Sequence, residues 1–163
     1  MIENLEERRL FAGQFNPYAY GGAVPVQDGG VLTITNAHSI QINAVYDLND
    51  NVVDGAIQFI DKGIRGNKVW YFSNVTLINV TGTKDYDIIS GNIDGSVSAN
   101  FYGGAGNDTL SAFNWGSGDF NVYGGTGNDS IGAGNGGTGT TTVYGQAGRD
   151  TFIQNYGGAT FIQ

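Results

Sequence analysis

Gly103-Gly104-Ala105-Gly106-Asn107-Asp108-Thr109-Leu110 returns 21 positions later as Gly124-Gly125-Thr126-Gly127-Asn128-Asp129-Ser130-Ile131. A further 21 positions give Gly145-Gln146-Ala147-Gly148-Arg149-Asp150-Thr151-Phe152. A fixed period of this length means that one supersecondary unit is copied along the chain, so it decides the architecture. One period earlier, Gly82-Thr83-Lys84-Asp85-Tyr86-Asp87-Ile88-Ile89 keeps the first glycine, the last aspartate and the apolar end, and is a degenerate copy.

Other columns keep the period. Val80, Phe101, Val122 and Val143 precede the glycine turn, Tyr102, Tyr123 and Tyr144 stand at its edge, and Gly95, Gly116, Gly137 and Gly158 mark an opposite turn. Strand side chains alternate between faces. If the Val80 column points inward, Ile78, Ala99, Phe120, Thr141 and Ile162 do so too, while Asn79, Asn100 and Asn121 face out and can form an amide ladder that fixes the register. After the turn, Ile89, Leu110, Ile131 and Phe152 supply the inward column of a second strand. Each unit reads strand, glycine turn, strand, looser turn, and only stacking buries its apolar face. The fold class expected is all-β: a right-handed parallel β-solenoid with coils of about 21 residues.

The organisation falls into three parts. Residues 81–163 carry the repeat. Residues 23–80 lack the glycine-aspartate turn and read as irregular coils of the same solenoid, with strand candidates at 31–34, 40–42, 56–60 and 69–80. Residues 1–22, with a charged run from Glu3 to Arg9, read as a tail or cap. Only 8 of the 28 glycines precede residue 80, and no segment after residue 31 keeps the 3.6-residue apolar period of a helix.

The net charge is −8, and from Asp85 onward seven aspartates face Arg149 alone. No basic stripe exists to neutralise phosphates, which excludes nucleic acid as a partner. Gathered carboxylates call instead for a divalent cation. Absence of cysteine removes disulfides and thiolate chemistry. The longest apolar runs, such as residues 69–72, are too short to span a bilayer, and residues 10–12 are too short for the apolar core of a secretory signal.

Residues 103–111 and 124–132 fit G-G-x-G-x-D-x-U-x in full, U being a large apolar residue. This resembles the RTX calcium-binding repeat, over about half the chain. The resemblance implies a β-roll-like solenoid and a Ca²⁺ ion between successive turns, Asp108 and Asp129 sharing one and Asp129 and Asp150 the next. It implies further ligands from the carbonyls of Gly103, Gly104, Ala105 and Gly106, of Gly124, Gly125, Thr126 and Gly127, and of Gly145, Gln146 and Gly148. Calcium takes six to eight oxygens, and glycine lets a tight turn aim its carbonyls without a Cβ in the way. Asp87 is the remaining candidate. There Lys84 and Tyr86 depart from the pattern and Asp85 replaces a glycine, leaving a third ion as an open alternative. Thr151-Phe152-Ile153-Gln154 recurs nine residues on as Thr160-Phe161-Ile162-Gln163, which matches the family's half-coil step.

Several motifs read as ordinary structure. Asp47-Leu48-Asn49-Asp50-Asn51 resembles the start of an EF-hand loop but has Val52 in place of its glycine and Gln58 in place of its bidentate glutamate, so a polar turn is expected. Residues 132–137 match G-x-G-x-x-G but precede a strand rather than a helix. Asp94 and Asp119 read as solvated. The single histidine, His38, has no partner that spacing can identify, so a catalytic triad is not supported. Lys62, Arg65 and Lys68 suit a polysaccharide lyase or epimerase as an alternative, and Trp70, Trp115 and the tyrosine column a sugar surface. Asn74-Val75-Thr76 and Asn79-Val80-Thr81 are glycosylation sequons by spelling.

Leu5-Glu6-Glu7-Arg8-Arg9-Leu10 resembles an L-E-x-R-x-L element of large exported bacterial proteins, and agrees with an extracellular or cell-surface location. The function expected is a calcium-stiffened extracellular structural or adhesion module without catalysis. The alternative is a module that binds or modifies polysaccharide rich in uronate. Phe161 and Ile162 read as an unfinished coil, implying either a longer chain or an end-to-end homodimer.

Overall fold

The structure is a computed structural model, which describes residues 22–63 and 66–163. Among them are fourteen strands and no helix. Parallel coils of about 21 residues stack into a β-solenoid of roughly four turns.

Two sheets face each other. The first contains, in spatial order, β1 (Val24–Asp28), β2 (Val31–Thr35), β6 (Leu77–Thr81), β8 (Ser98–Ala105), β10 (Phe120–Thr126), β12 (Thr141–Ala147) and β14 (Thr160–Ile162). The second runs β13 (Thr151–Gly157), β11 (Ser130–Asn135), β9 (Thr109–Asn114), β7 (Ile88–Ile93), β3 (Ser39–Tyr46), β4 (Val52–Gly63) and β5 (Gly66–Phe72). Successive coils pair in parallel at the sequence period: Val80 with Phe101, Phe101 with Val122, Val122 with Val143, and on the other sheet Ile89 with Leu110 and Leu110 with Ile131.

The core lies between the sheets. Ile78, Val80, Ala99, Phe101, Phe120, Val122 and Val143 from one side meet Ile89, Leu110, Ala112, Ile131 and Ala133 from the other, all buried. Each large side chain so buried stabilises the fold by roughly 1.5–3 kcal/mol. Small residues make room for large ones: a Cβ on inward-facing Gly91 would overlap the Phe101 ring. Outside, the amide ladder forms, with Asn100 Nδ2 donating to Asn79 Oδ1 at 2.9 Å and Asn121 Nδ2 to Asn100 Oδ1 at 3.1 Å. Tyr102, Tyr123 and Tyr144 stack with ring centroids 4.8 Å apart, the ordinary interstrand spacing.

The structure differs from the sequence reading at both ends of the stack. Residues 23–80 are not all coils. β2 and β3 make one, but β1 folds back antiparallel on β2, and β4 and β5 form an antiparallel meander on β3. The single strand expected over residues 69–80 is broken at residues 73–76 into β5 and β6. Alternation alone cannot tell an antiparallel from a parallel neighbour.

At the other end, Val143 pairs with Phe161 and Thr142 with Thr160. The last coil is therefore three residues shorter than the period: Phe161 joins the inward column of Val143, and Ile162, expected inward in the column of Thr141, pairs instead with Tyr144 and is 44% exposed. Gly158 likewise leaves the column of Gly95, Gly116 and Gly137: a Cβ there would meet nothing within 4 Å. The tail or cap expected at residues 1–22 lies, but for Gly22, outside the described residues, as do Arg65 and the Leu5 to Leu10 element.

Candidate metal centre

The glycine turns join the end of one sheet to the start of the other, at residues 106–108, 127–129 and 148–150. Their second and fourth positions are left-handed: Gly104 at φ 107° and Gly106 at 123°, Gly125 at 110° and Gly127 at 135°, Gln146 at 71° and Gly148 at 146°. Glycine is required at Gly127 by packing as well, because a Cβ would fall on the Gly106 carbonyl of the preceding coil. Gly103, Gly104 and Ala105 end β8; Gly124, Gly125 and Thr126 end β10; Gly145 and Gln146 lie in β12. All expected turn residues therefore share one side of the stack.

The aspartates that close the turns form a column. Asp87, Asp108 and Asp129 are at most 2% exposed, and Asp150 is half-buried. Each carboxylate is tied through Oδ1 to the coil before it. Asp87 N–H donates to Asp108 Oδ1 at 2.9 Å, Asp108 N–H to Asp129 Oδ1 at 2.8 Å, and Asp129 N–H to Asp150 Oδ1 at 3.0 Å.

The second oxygens differ. Oδ2 of Asp108 and of Asp129 are buried without any hydrogen-bond partner. A Cβ built on Gly103 would lie 2.7 Å from Asp108 Oδ2 and overlap the Gly124 carbonyl oxygen; one on Gly124 would lie 2.5 Å from Asp129 Oδ2 and 2.7 Å from the Gly145 oxygen. In each gap a carboxylate oxygen and a glycine carbonyl of the next coil thus converge on one bare spot with no donor between them. Leaving a buried charged oxygen unmatched costs several kcal/mol. Burial first, and then the neighbouring Asp129 and Asp87 charges, push the Asp108 carboxyl up to about 6 against the opposing bond from Asp87 N–H. Burial, followed by the Asp150 charge, raises Asp129 in the same way.

No family model, curated protein or solved structure matches this chain. The turn column speaks through its own donors. Among the described residues no three His, Cys, Asp or Glu side chains converge on one point, so any ion here must take much of its shell from backbone carbonyls. An all-oxygen set of carboxylate and carbonyl groups suits a hard cation such as Ca²⁺ and not a thiophilic or imidazole-seeking metal.

The other sequence candidates separate. Asp87 joins the column, yet both its oxygens are occupied: Oδ1 by His38 Nδ1 at 2.9 Å and Oδ2 by the N–H and Oγ1 of Thr83. Asp119 is held by Thr140, whose N–H and Oγ1 donate at 2.9 and 2.8 Å and lower its pKa. Asp94 accepts from Gly95 N–H at 2.7 Å and from Tyr46 OH at 3.4 Å. Neither is merely solvated. Asp47 closes a polar turn, its Oδ1 accepting from the N–H groups of Asn49 and Asn51. Lys62 and Lys68 sit on β4 and β5, separated from β9 by β3 and β7, so neither stands beside the turns of Asp108 and Asp129.

Two further rows were legible at the same period but not read from it. Asn128 N–H donates to Asn107 Oδ1, and Arg149 N–H to Asn128 Oδ1, each at 2.8 Å, locking the turns together. In the opposite turn Asn114 and Asn135 donate through Nδ2 to the Gly118 and Gly139 carbonyls, each at 2.7 Å.

Proposed function

We propose that this chain is a calcium-stiffened β-solenoid of the RTX-like kind, an extracellular structural or adhesion module without catalysis of its own. The observation that carries this reading is the pair of buried, unpartnered oxygens, Asp108 Oδ2 and Asp129 Oδ2, each facing a glycine carbonyl of the next coil. Asp108 with the turn 103–106 and Gly124 would hold one ion, and Asp129 with the turn 124–127, Gly145, Gln146, Gly148 and Asp150 the next. Bound calcium supplies the counter-charge that turns stacked carboxylates from mutually repulsive to cohesive. Two carboxylates about 4.8 Å apart repel by about 1 kcal/mol in water and several times more near an effective dielectric of 20. The free energy of binding is then delivered as folding free energy. Weak sites of this kind fill where calcium is millimolar, which favours an outside location. Calorimetric titration of chelator-treated protein tests the reading, and absence of any calcium uptake would end it.

A second reading, a polysaccharide-contacting surface, is favoured by one patch. Phe113 and Trp115 have rings parallel within 8° and centroids 6.4 Å apart, and the Tyr156 centroid lies 5.2 Å from that of Trp115. Trp115 and Tyr156 are 41% and 57% exposed. Gly134 and Gly136 leave the space those rings occupy, and Trp115 Nε1 donates to Asn92 Oδ1 at 2.6 Å. The tyrosine column is a poorer sugar surface because its faces are spent on one another. Affinity electrophoresis through neutral and uronate polysaccharides, with Trp115→Ala as the control, tests this; equal mobility in every gel would discard it. End-to-end association along the free edge of β14 is a further proposal, read by light scattering with Phe161→Asp.

A further inference from the structure

The four aspartates of the column are chemically unequal: Asp108 and Asp129 each keep an unpartnered oxygen, half-buried Asp150 has both oxygens met, by Asp129 N–H and by Gln163 Nε2 at 3.2 Å, and Asp87 is the fully buried one that the protein satisfies. Its carboxylate is completely buried. Thr83 N–H and Thr83 Oγ1 meet Oδ2, and Oγ1 also lies 2.9 Å from Oδ1. His38 Nδ1 lies 2.9 Å from Oδ1. At Asp108, Asp129 and Asp150 the Oδ1 position is filled by the backbone N–H of the preceding aspartate; no aspartate of the column precedes Asp87, and His38 stands in that place. In all three turns Oδ2 and a glycine carbonyl of the next coil converge beside the first glycine, but Asp108 Oδ2 and Asp129 Oδ2 have no hydrogen-bond partner, whereas Asp87 Oδ2 is met by Thr83 N–H and Oγ1.

We propose that the hydrogen bonds of Thr83 do for Asp87 what a cation does for Asp108 and Asp129, so that the Asp87 turn takes no metal and forms a calcium-independent rung on which the calcium-dependent coils stack. The inference rests on the calcium reading above. The backbone supports it independently. The second and fourth residues of the other three turns all have positive φ, whereas Thr83 and Asp85, which hold those positions here, do not. A β-branched residue is strained in that region, so the turn that gave up glycine also gave up the carbonyl arrangement that glycine permits. The rung is tied to the amino-terminal part of the solenoid. His38 lies in the turn between β2 and β3, where Ala37 N–H donates to the Thr81 carbonyl at 3.1 Å and Ile88 N–H to the His38 carbonyl at 2.7 Å.

Isothermal titration of the chelator-treated full chain should give two calcium ions per molecule. Thr83→Gly combined with Asp85→Gly, which restores glycine at both positions, should give three. His38→Ala should lower the melting temperature with and without calcium and leave the count at two. Hydrogen exchange on the unaltered chain, which needs no variant to fold, should find β6 and β7 protected in chelator and β9 and β11 protected only with calcium. Three ions in the unaltered chain, two in a folded double variant, or equal protection of β7 and β11 in chelator would overturn the inference while leaving the calcium reading intact. No uptake by the unaltered chain would overturn the calcium reading and this inference with it.

Discussion

The backbone N–H of Asp108 donates to Oδ1 of Asp129, 21 residues on, at 2.8 Å, with both residues buried. One oxygen of each carboxylate thus ties adjacent coils together, while the other is held in the dry interior of the turn stack without a donor. The same bond fixes the register of the stack and aims the unpartnered oxygen at the next coil's glycine carbonyl.

Calcium should raise the melting temperature of the chelator-treated protein, and magnesium should do so little, because it demands tight octahedral geometry and sheds water reluctantly. At a hundredfold excess over the dissociation constant each site contributes about 2.7 kcal/mol. For a chain of this size each kcal/mol shifts the midpoint by about 2–4 °C, so two sites should move it by about 10 °C or more. Matching melting curves in chelator and in millimolar calcium would contradict the proposal.

Asp129→Asn should change sign with the metal. In chelator the amide removes a buried charge facing Asp150 and Asp108 and should leave the melting temperature unchanged or higher. In saturating calcium the same variant should melt below the unaltered chain and bind at least one ion fewer. Asp94→Ala, in the opposite turn, should leave the calcium midpoint where it is; a common midpoint for both variants would speak against the stacked-turn site.

The metal-free protein should be more stable near pH 5 than near pH 8. Burial raises the Asp108 pKa from the usual carboxylate range to about 6, and Asp129 shifts in the same direction. A group that binds its proton more tightly when folded contributes stability that is fully present below the unfolded pKa. That stability is lost as pH rises through the folded value, here between about pH 4 and above pH 6. For Asp108 alone the loss is on the order of 3 kcal/mol. Saturating calcium should abolish or reverse the trend. Chemical denaturation at several pH values, in chelator and in calcium, measures both arms.

Gly127→Ala should cost at least about 2 kcal/mol and remove the calcium response, because φ is 135° and the new methyl would meet the Gly106 carbonyl. Gly158→Ala, with ordinary φ and open space around it, should be within about 0.5 kcal/mol of the unaltered chain. Equal melting temperatures for the two variants would show that the glycine turns do not stack as described.

Most of the stacked half was legible because a parallel solenoid writes its register into the sequence as a single number. Once Val80, Phe101, Val122 and Val143 share a column, the partners of every residue between them follow. The asparagine ladder, the inward columns and the aspartate column all came from that shift. Where the shift changes, as in the shorter last coil, extrapolation put Ile162 inward in the column of Thr141, whereas the pairing seats Phe161 beside Val143 and turns Ile162 out beside Tyr144.

The sequence by itself determined the coil length, the all-β class, the inward faces and the identity of the turn residues, because each is set by local backbone chemistry repeated at a fixed interval. Only the tertiary structure decided that β4 and β5 run antiparallel, that His38 meets Asp87 across 49 residues, and that Asp87 is satisfied while Asp108 and Asp129 are not. Those outcomes depend on which groups the fold brings within hydrogen-bonding distance of a buried oxygen. The lost glycines at Thr83 and Asp85 mark the Asp87 turn as different, but which groups close on its carboxylate, His38 above all, is a property of three-dimensional neighbours.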